Sequence, residues 1–350
     1  MLWPVERIYA KSPNAALARS LVEELQHYFL DRLQSVSREQ GCDTEFDFVE
    51  WLRDEGKHGG GSRYVTAETP VFNRAAINVS GVHYDDNPTK KLSSADALST
   101  IIHPHNPMAP SVHMHFSWTE MRDGKGYYRM MADLNPSIED PAATERFSQT
   151  LREAAPDHYQ EAANQGNRYF HIPTLDRHRG VSHFYLEAFS TGNFSADSAM
   201  AKRIAHAAID CYIEILRSAL ANNPTIKEED LALQRAYHTA YLFQVLTLDR
   251  GTTSGLLVHD QNDLGIMGSI PAYVDRELLA SWKSNSLPVQ QSLVQGLVDA
   301  LEDSSPSHVT DPVRRALAQV VRKHYTDPRE PLALQASGGI MPPTVANHSD

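Results

Sequence analysis

Hydrophobic residues near the start of the chain recur at the spacing of an α-helix. Between residues 14 and 36, a leucine or phenylalanine stands at every fourth position, and polar or charged residues fill most of the others. The apolar positions are Leu17, Leu21, Leu25, Phe29 and Leu33. This spacing places them on one face of a helix. The sequence therefore predicts an amphipathic helix that packs one face against a core.

Between Ser62 and Asp133 the pattern changes to short apolar runs that are separated by turn residues. Runs of this kind are typical of strands in an antiparallel sheet. The predicted strands lie at residues 64–66, 77–80, 112–116 and 127–131, and a further strand is predicted at 181–189.

Helical spacing returns in the second half of the chain. Helices are predicted at 142–164, with a break at Pro156, and then at 196–221, 289–301 and 313–324. We predict two strands, 240–248 and 254–259, joined as a hairpin by the turn at 251–253. Residues 332–350 have the composition of a loose tail. These elements indicate the α+β class, with a large antiparallel β-sheet flanked by helices.

Composition narrows the possible partners and the compartment. Of 350 residues, 41% are hydrophobic and 22% are charged, as in globular proteins. A net charge of −12 repels phosphate backbones, so we expect no nucleic-acid partner. Two cysteines, Cys42 and Cys211, make no disulfide framework, which indicates a reducing compartment. We find neither a secretory signal nor a stretch of about 20 apolar residues, so we expect a cytoplasmic protein with no membrane span.

Four histidines stand close together in a proline-rich segment. They are His103, His105, His113 and His115. The prolines indicate a structured loop that leads into a strand. In that strand His113 and His115 alternate with Met114, so both imidazoles lie on one face. Three interpretations stay open: a metal site, a base and a hydrogen-bond donor in a cleft, or a solvated polar face.

A second candidate site is the sequence Asp249-Arg250-Gly251. We predict it at the end of a strand, where Gly251 allows the chain to turn. Asp249 could accept a proton or bind an N–H group of a ligand, and Arg250 could hold a carboxylate through two parallel hydrogen bonds. The alternative is a hairpin corner with a surface ion pair.

Five sequence motifs, taken together and in order, resemble the oxygen-dependent coproporphyrinogen III oxidases. They are GGGSRYVTAETPVFNRAAINVSGVH (59–83), IIHPHNPMAPSVHMHF (101–116), ADLNPSIED (132–140), TLDRGTTSGL (247–256) and GIMGSIP (265–271). The resemblance covers roughly residues 14–303. We therefore expect one such domain at 1–303, and an extra C-terminal helix with a loose tail at 304–350.

The resemblance implies a fold, an assembly and a reaction. The fold is a large antiparallel sheet flanked by helices, and the assembly is a homodimer. In the reaction, propionate side chains of coproporphyrinogen III are oxidatively decarboxylated to vinyl groups, as in heme biosynthesis. O₂ is the co-substrate, and no metal or organic cofactor is needed.

The resemblance also implies roles for individual residues. His113 stands at a functional active-site histidine, Asp249 at an aspartate that binds pyrrole N–H groups and assists deprotonation, and Arg250 at an arginine that can engage a propionate. The remaining matched positions line or support the cleft. They are Asn78, Ser99, His103, Asp133 and Arg179.

Several positions depart from the family pattern. Ser117 replaces an arginine that resembles a carboxylate clamp, and Ala240 stands where another arginine is expected. His115 replaces an asparagine. The residues Arg129-Met130-Met131 replace three glycines, so the bulky methionines should narrow the cleft beside that strand.

These departures leave alternatives open. An arginine at a new position, namely Arg63, Arg122 or Arg129, could replace a lost guanidinium. A different enzyme on the same scaffold could use the four histidines, with Asp133 as a further ligand, to hold iron and act on a smaller carboxylate substrate. A third possibility is a tetrapyrrole-binding protein without catalytic activity.

Overall fold

Seven antiparallel strands form one sheet in the computed structural model, which describes residues 6–326, 330–339 and 348. The first six follow one another along the chain, and each pairs with its neighbours in sequence. They are β1 (Asp47–Leu52), β2 (Gly59–Thr66), β3 (Phe72–His83), β4 (Leu92–Pro104), β5 (Ser111–Met121) and β6 (Gly126–Asn135).

The remaining strands complete the sheet and form two small ribbons. β7 (His171–Ile172) pairs with β8 (Arg177–His178). β9 (Val181–Phe189) then pairs with β6 and ends the large sheet. β10 (Tyr273–Val274) and β11 (Ser307–His308) form the second ribbon.

Helices occupy both sides of the large sheet. They are α1 (Pro13–Glu39), α2 (Pro141–Ala154), α3 (Tyr159–Tyr169), α4 (Phe194–Asn222), α5 (Glu228–Thr247), α6 (Arg250–Val258), α7 (Asp263–Ile266), α8 (Arg276–Ser281), α9 (Pro288–Ala300) and α10 (Asp311–Thr326). Short 3₁₀ turns lie at Asp54–Gly56, Pro173–Leu175, Asp260–Asn262, Met267–Ser269, Lys283–Asn285 and Glu330–Leu334. The prediction of an α+β fold is confirmed.

One face of the sheet forms the main hydrophobic core with α1, α2 and α4. Phe29 of α1 and Ile209 of α4 pack in the same buried cluster as Leu98 of β4 and Met114 of β5. Burial of such side chains stabilises a fold by about 1.5–3 kcal/mol each. The predicted helices at 14–36, 142–164 and 196–221 are confirmed, with Pro156 between α2 and α3.

The opposite face of the sheet packs against the C-terminal helices. Ala76 of β3 and Ile101 of β4 belong to a second buried cluster with Leu246 of α5 and Leu317 of α10. Alternation along β5 therefore separates two environments. Met114 lies in the first core, whereas its neighbours on either side point towards the second layer of helices.

The predicted hairpin at 240–259 was wrong. Residues 240–247 belong to α5, and residues 254–258 belong to α6. From Tyr237 onward, every residue of α5 is buried. A helix that is buried on all sides loses its apolar periodicity, so its sequence is easily mistaken for that of a buried strand.

Part of the predicted loose tail is also ordered against the core. The Ala336 amide donates to the Leu248 carbonyl at 2.9 Å, and the Gly338 amide donates to the Glu187 carboxylate at 3.1 Å. The tail prediction was therefore wrong for residues 332–339. Residues 340–347, 349 and 350 lie outside the described residues. Within the described ranges, no helix is long and apolar enough to cross a bilayer.

Candidate active site

A cavity of about 280 Å³ lies between the sheet and helices α5 to α7. Five predicted site residues line it: Asn78, Ser99, His113, Arg179 and Asp249. The other three, His103, Asp133 and Arg250, are buried but do not form its wall. The structure therefore brings most of the predicted site together, and their chemical roles stay predictions.

The centre of the site is a buried group of three side chains from different elements. The Nδ1 atom of His113 lies 2.8 Å from an Asp133 carboxylate oxygen, across the β5–β6 ladder. The Arg179 guanidinium lies just before β9 and donates to the other Asp133 oxygen at 3.1 Å. Because Nδ1 of His113 faces this pair, its Nε2 is the nitrogen left to meet a ligand in the cavity.

Charge pairing decides the ionisation of this group. Asp133 and Arg179 are 0% and 1% exposed. Burial is the largest effect on the Asp133 carboxyl and acts to raise its pKa, but Arg179 and His113 hold that pKa well below its usual range. Burial likewise acts to lower the pKa of Arg179, and Asp133 keeps it raised instead. Both members of the pair are therefore charged at neutral pH.

Further hydrogen bonds hold the group in place. Asn135 donates to the Asp133 carboxylate at 2.6 Å, and the Tyr237 hydroxyl donates to the Asn135 side-chain oxygen at 2.8 Å. Gln244 accepts from Arg179 at 3.0 Å. No sequence pattern indicated these three supporting residues, because they come from β6 and α5 and no local spacing connects them.

Asp249 takes its position from the start of a helix rather than from a strand end. Its side chain caps α6 by accepting the Thr252 amide at 2.7 Å. The Tyr169 hydroxyl donates to its other oxygen at 3.2 Å. The carboxylate is 7% exposed and belongs to the cavity wall. The predicted hairpin corner is therefore wrong, while the predicted location in a cleft is correct.

Arg250 is buried near the cavity but is not part of its wall. Its guanidinium forms an ion pair with Glu187 of β9, which is 1% exposed. The Tyr185 hydroxyl also donates to that carboxylate, at 2.7 Å. Because the pair is buried, loss of either partner would leave an uncompensated charge in the interior. Among the described residues, the ion-pair partner of Arg250 is therefore a protein carboxylate.

The four clustered histidines do not form one group, because only His113 and His115 line the cavity. His103 is fully buried, with Nδ1 bonded to Ser111 and Nε2 donating to the Ser269 carbonyl. Burial lowers the pKa of His103 to about 3, so it is neutral. His105 is partly exposed, and its Nδ1 lies 3.9 Å from Glu68. In the described part of the chain, no group of three or more His, Cys, Asp or Glu residues could hold a metal.

Only some of the positions that depart from the family pattern line the cavity. Met131 does, but Met130 packs in the hydrophobic core on the other face of the sheet, so the prediction that both methionines narrow the cleft was wrong for Met130. Ala240 is not part of the cavity wall.

His115 bonds to the Ser117 hydroxyl at 3.0 Å, and Arg129 stands directly opposite Ser117 in the β5–β6 ladder. All three line the cavity. Arg122 instead donates to the Tyr84 carbonyl outside it. His348, from the C-terminal segment, also lines the cavity, and no sequence motif indicated this position.

These features define an α+β protein whose sheet and C-terminal helices enclose a cleft with a histidine–aspartate pair and a second carboxylate. The family model described as Coproporphyrinogen III oxidase matches residues 18–305 of the chain. The chain therefore belongs to the coproporphyrinogen III oxidase family, and the resemblance inferred from the five motifs is confirmed.

Individual relatives are distant but match over much of their length. A Drosophila melanogaster protein named oxygen-dependent coproporphyrinogen-III oxidase is 27% identical over 290 residues, which cover 76% of this chain and 73% of the relative. The mitochondrial enzyme of the same name from Rattus norvegicus is 25% identical over 283 residues, covering 74% and 62%. The protein of that name from Rickettsia akari is 27% identical over 245 residues, covering 66% and 85%.

Proposed function

We propose that this protein catalyses the oxygen-dependent oxidative decarboxylation of coproporphyrinogen III, as the names of its relatives state for them. The observation that carries the proposal is the presence of His113 and Asp249 in one cavity of a chain whose family match spans residues 18–305. A positioned imidazole and a positioned carboxylate are the usual groups for moving protons at a substrate.

The chemistry makes clear which groups the protein must supply. Each propionate loses CO₂ when the bond between its carboxylate and the neighbouring carbon breaks. A hydrogen also leaves the carbon next to the ring, and the vinyl group forms. This conversion releases one proton and two electrons per propionate, and O₂ takes the electrons. The protein must therefore bind the reduced ring, hold its propionates and accept protons.

The residues of the cavity fit these tasks. Asp249 is held by Thr252 and Tyr169, so its carboxylate is oriented to accept hydrogen bonds from pyrrole N–H groups and to take a proton from one of them. His113 is oriented by Asp133, which leaves Nε2 to exchange a proton with the substrate. Asn78 donates to the Ser99 carbonyl at 3.3 Å, and this pair forms part of the cavity wall.

We also propose that no metal or organic cofactor takes part. The support is the chemistry of the substrate, because an electron-rich porphyrinogen can itself give electrons to O₂. Elemental analysis of protein purified without a histidine tag checks this. About one iron per chain, together with activity that is lost on chelation and regained with iron, would contradict it. A homodimer in the cytoplasm is proposed on the family resemblance, and sedimentation in solution measures the assembly.

The test of the activity is direct. Purified protein is incubated in air with coproporphyrinogen III, and the products are oxidised and separated by chromatography. The proposal predicts vinyl-bearing products that are absent when O₂ is removed. A protein that forms none, while a relative from the family is active in the same assay, would contradict the substrate assignment.

A further inference from the structure

The cavity wall contains one guanidinium whose hydrogen-bonding capacity is unused. Arg129 lies on β6, is partly buried and lines the cavity. Among the residues that the structure describes, its guanidinium forms no hydrogen bond or ion pair, and the Asp249 carboxylate is near enough to act on its charge. An arginine remains charged at any ordinary pH and carries five N–H donors. A partly buried cation with free donors is therefore ready to bind an anion.

The other arginines around the cavity already have partners. Arg179 is paired with Asp133, and Arg250 with Glu187. Arg63 donates to the Asn262 side chain at 2.8 Å. Arg129 differs from all three. Among the described residues no hydrogen bond or ion pair is made by its guanidinium, although the Asp249 carboxylate and three nearby tyrosines act on its charge from a greater distance.

Arg129 lies on the strand next to Ser117, at the position where its guanidinium could replace that of the missing arginine. The two residues are directly opposite each other in the β5–β6 ladder, so their side chains leave the same face of the sheet about 5 Å apart. The resemblance described above implies an arginine at 117 and a glycine at 129, whereas this chain has a serine and an arginine at these positions. The exchange moves a guanidinium across one strand spacing and keeps it in the cavity.

Space beside Asp249 supports binding of an anion at this point. A Cβ atom on Gly251 would lie 3.9 Å from an Arg129 nitrogen and 3.1 Å from an Asp249 oxygen. Arg129 and Asp249 therefore both lie close to Gly251, and a side chain at position 251 would crowd the approach to both groups. A substrate that gives its ring N–H groups to Asp249 can reach Arg129 with a carboxylate carried by the ring.

We infer that Arg129 binds a propionate carboxylate of the tetrapyrrole, in place of the arginine that the family pattern has at 117. This inference rests on the proposed function for the identity of the ligand. A guanidinium binds a carboxylate through two parallel hydrogen bonds, which fixes orientation as well as affinity. Relocation by one strand shifts the point at which a propionate is held, so Arg129 determines which ring edge faces His113.

The test compares two stable probes on the full-length protein. One is coproporphyrin III, the oxidised ring with four carboxylates, and the other is the same ring with all four carboxylates converted to amides. Neither can react further, so fluorescence titration measures their Kd values. Arg129→Met should weaken binding of the carboxylate probe by about 10- to 100-fold and change that of the amide probe by less than about twofold.

Two further variants sharpen the result. Arg38→Met removes an exposed arginine from the last turn of α1 and should leave both Kd values unchanged. The double exchange Ser117→Arg with Arg129→Gly should recover about tenfold of the lost affinity, since it returns the guanidinium to β5. If Arg129→Met does not fold, Arg129→Lys replaces it, because lysine keeps the charge but not the planar fork. It should weaken only the carboxylate probe.

Equal losses for the two probes, or no loss, would overturn the inference, and would leave Arg129 with a structural role. Turnover of coproporphyrinogen III is measured separately. Suppose that Arg129→Met weakens binding of the carboxylate probe alone, but the wild-type protein forms no product. This result would contradict the proposed function and support the carboxylate site. If the wild-type protein forms product, but Arg129→Met affects the two probes equally or not at all, only the role of Arg129 is contradicted.

Discussion

Replacement of Asp249 by asparagine separates its charge from its structural role. Asparagine caps helices about as well as aspartate does, so it can still accept the Thr252 amide. The free energy of unfolding should therefore change by less than about 1 kcal/mol. Turnover should fall about 100-fold or more, because the cavity loses a positioned proton acceptor. That factor corresponds to about 2.7 kcal/mol of activation free energy.

A second variant and a matched pair of controls make the comparison quantitative. Asp249→Ala also loses the cap, so its free energy of unfolding should be about 1 kcal/mol lower than that of Asp249→Asn. Its turnover should fall as much as that of Asp249→Asn. Asp140 caps α2 in the same way, accepting the Ala143 amide at 3.0 Å, and is not part of the cavity wall. Asp140→Ala should lower stability by about 1 kcal/mol, whereas Asp140→Asn should not, and both should turn over normally.

The assay combines denaturant unfolding with the rate of product formation for the four variants. The account requires turnover to follow the charge at Asp249 and stability to follow the caps. Near-normal turnover of Asp249→Asn would remove Asp249 from the mechanism. Turnover losses that follow stability equally at Asp249 and Asp140 would show that the effect is structural.

Two further predictions concern buried charges. Asp133→Asn should lower the free energy of unfolding by about 3–5 kcal/mol at pH 7, since it leaves Arg179 buried without a counter-charge. The difference in unfolding free energy between wild type and variant should shrink below about pH 4, where the carboxyl of the unfolded chain becomes protonated. Burial raises the pKa of Asp96 to about 7, so ionisation costs stability as pH rises from about 4 to above 7. Asp96→Asn should therefore raise Tm at pH 8 but not at pH 4. If the variant and the wild type differ in Tm by the same amount at both pH values, the raised pKa of Asp96 is contradicted.

The sequence predicted secondary structure best in segments whose apolar spacing reflects a single buried face. Helix α1 buries one face, and β5 alternates between a core face and a cavity face, so the apolar spacing of both elements matched their structure. Alternation alone placed His113 and His115 together on the cavity side. For the site, the order of the motifs was sufficient to predict that His113 and Asp249 share a cleft.

Other features depend on contacts that no local pattern contains. Helix α5 is buried on all sides near its end, so it resembled a strand. Arg250 has the residue type of a carboxylate clamp, yet its partner is Glu187, 63 positions earlier in the chain by the printed numbering. Asn135 and Tyr237 hold Asp133 through a network that exists only after β6 and α5 have packed together. Tertiary structure decides these roles.

The central claim is that O₂ drives the loss of CO₂ from propionate side chains in this cavity. The most direct measurement uses coproporphyrinogen III labelled in its propionate carboxyl groups and records labelled CO₂ beside vinyl products, with O₂ and without it. The account predicts one CO₂ for each vinyl group, formed only in the presence of O₂ and almost abolished in Asp249→Asn. Tight binding of the substrate with no release of CO₂ in air, or release that is independent of O₂, would contradict it.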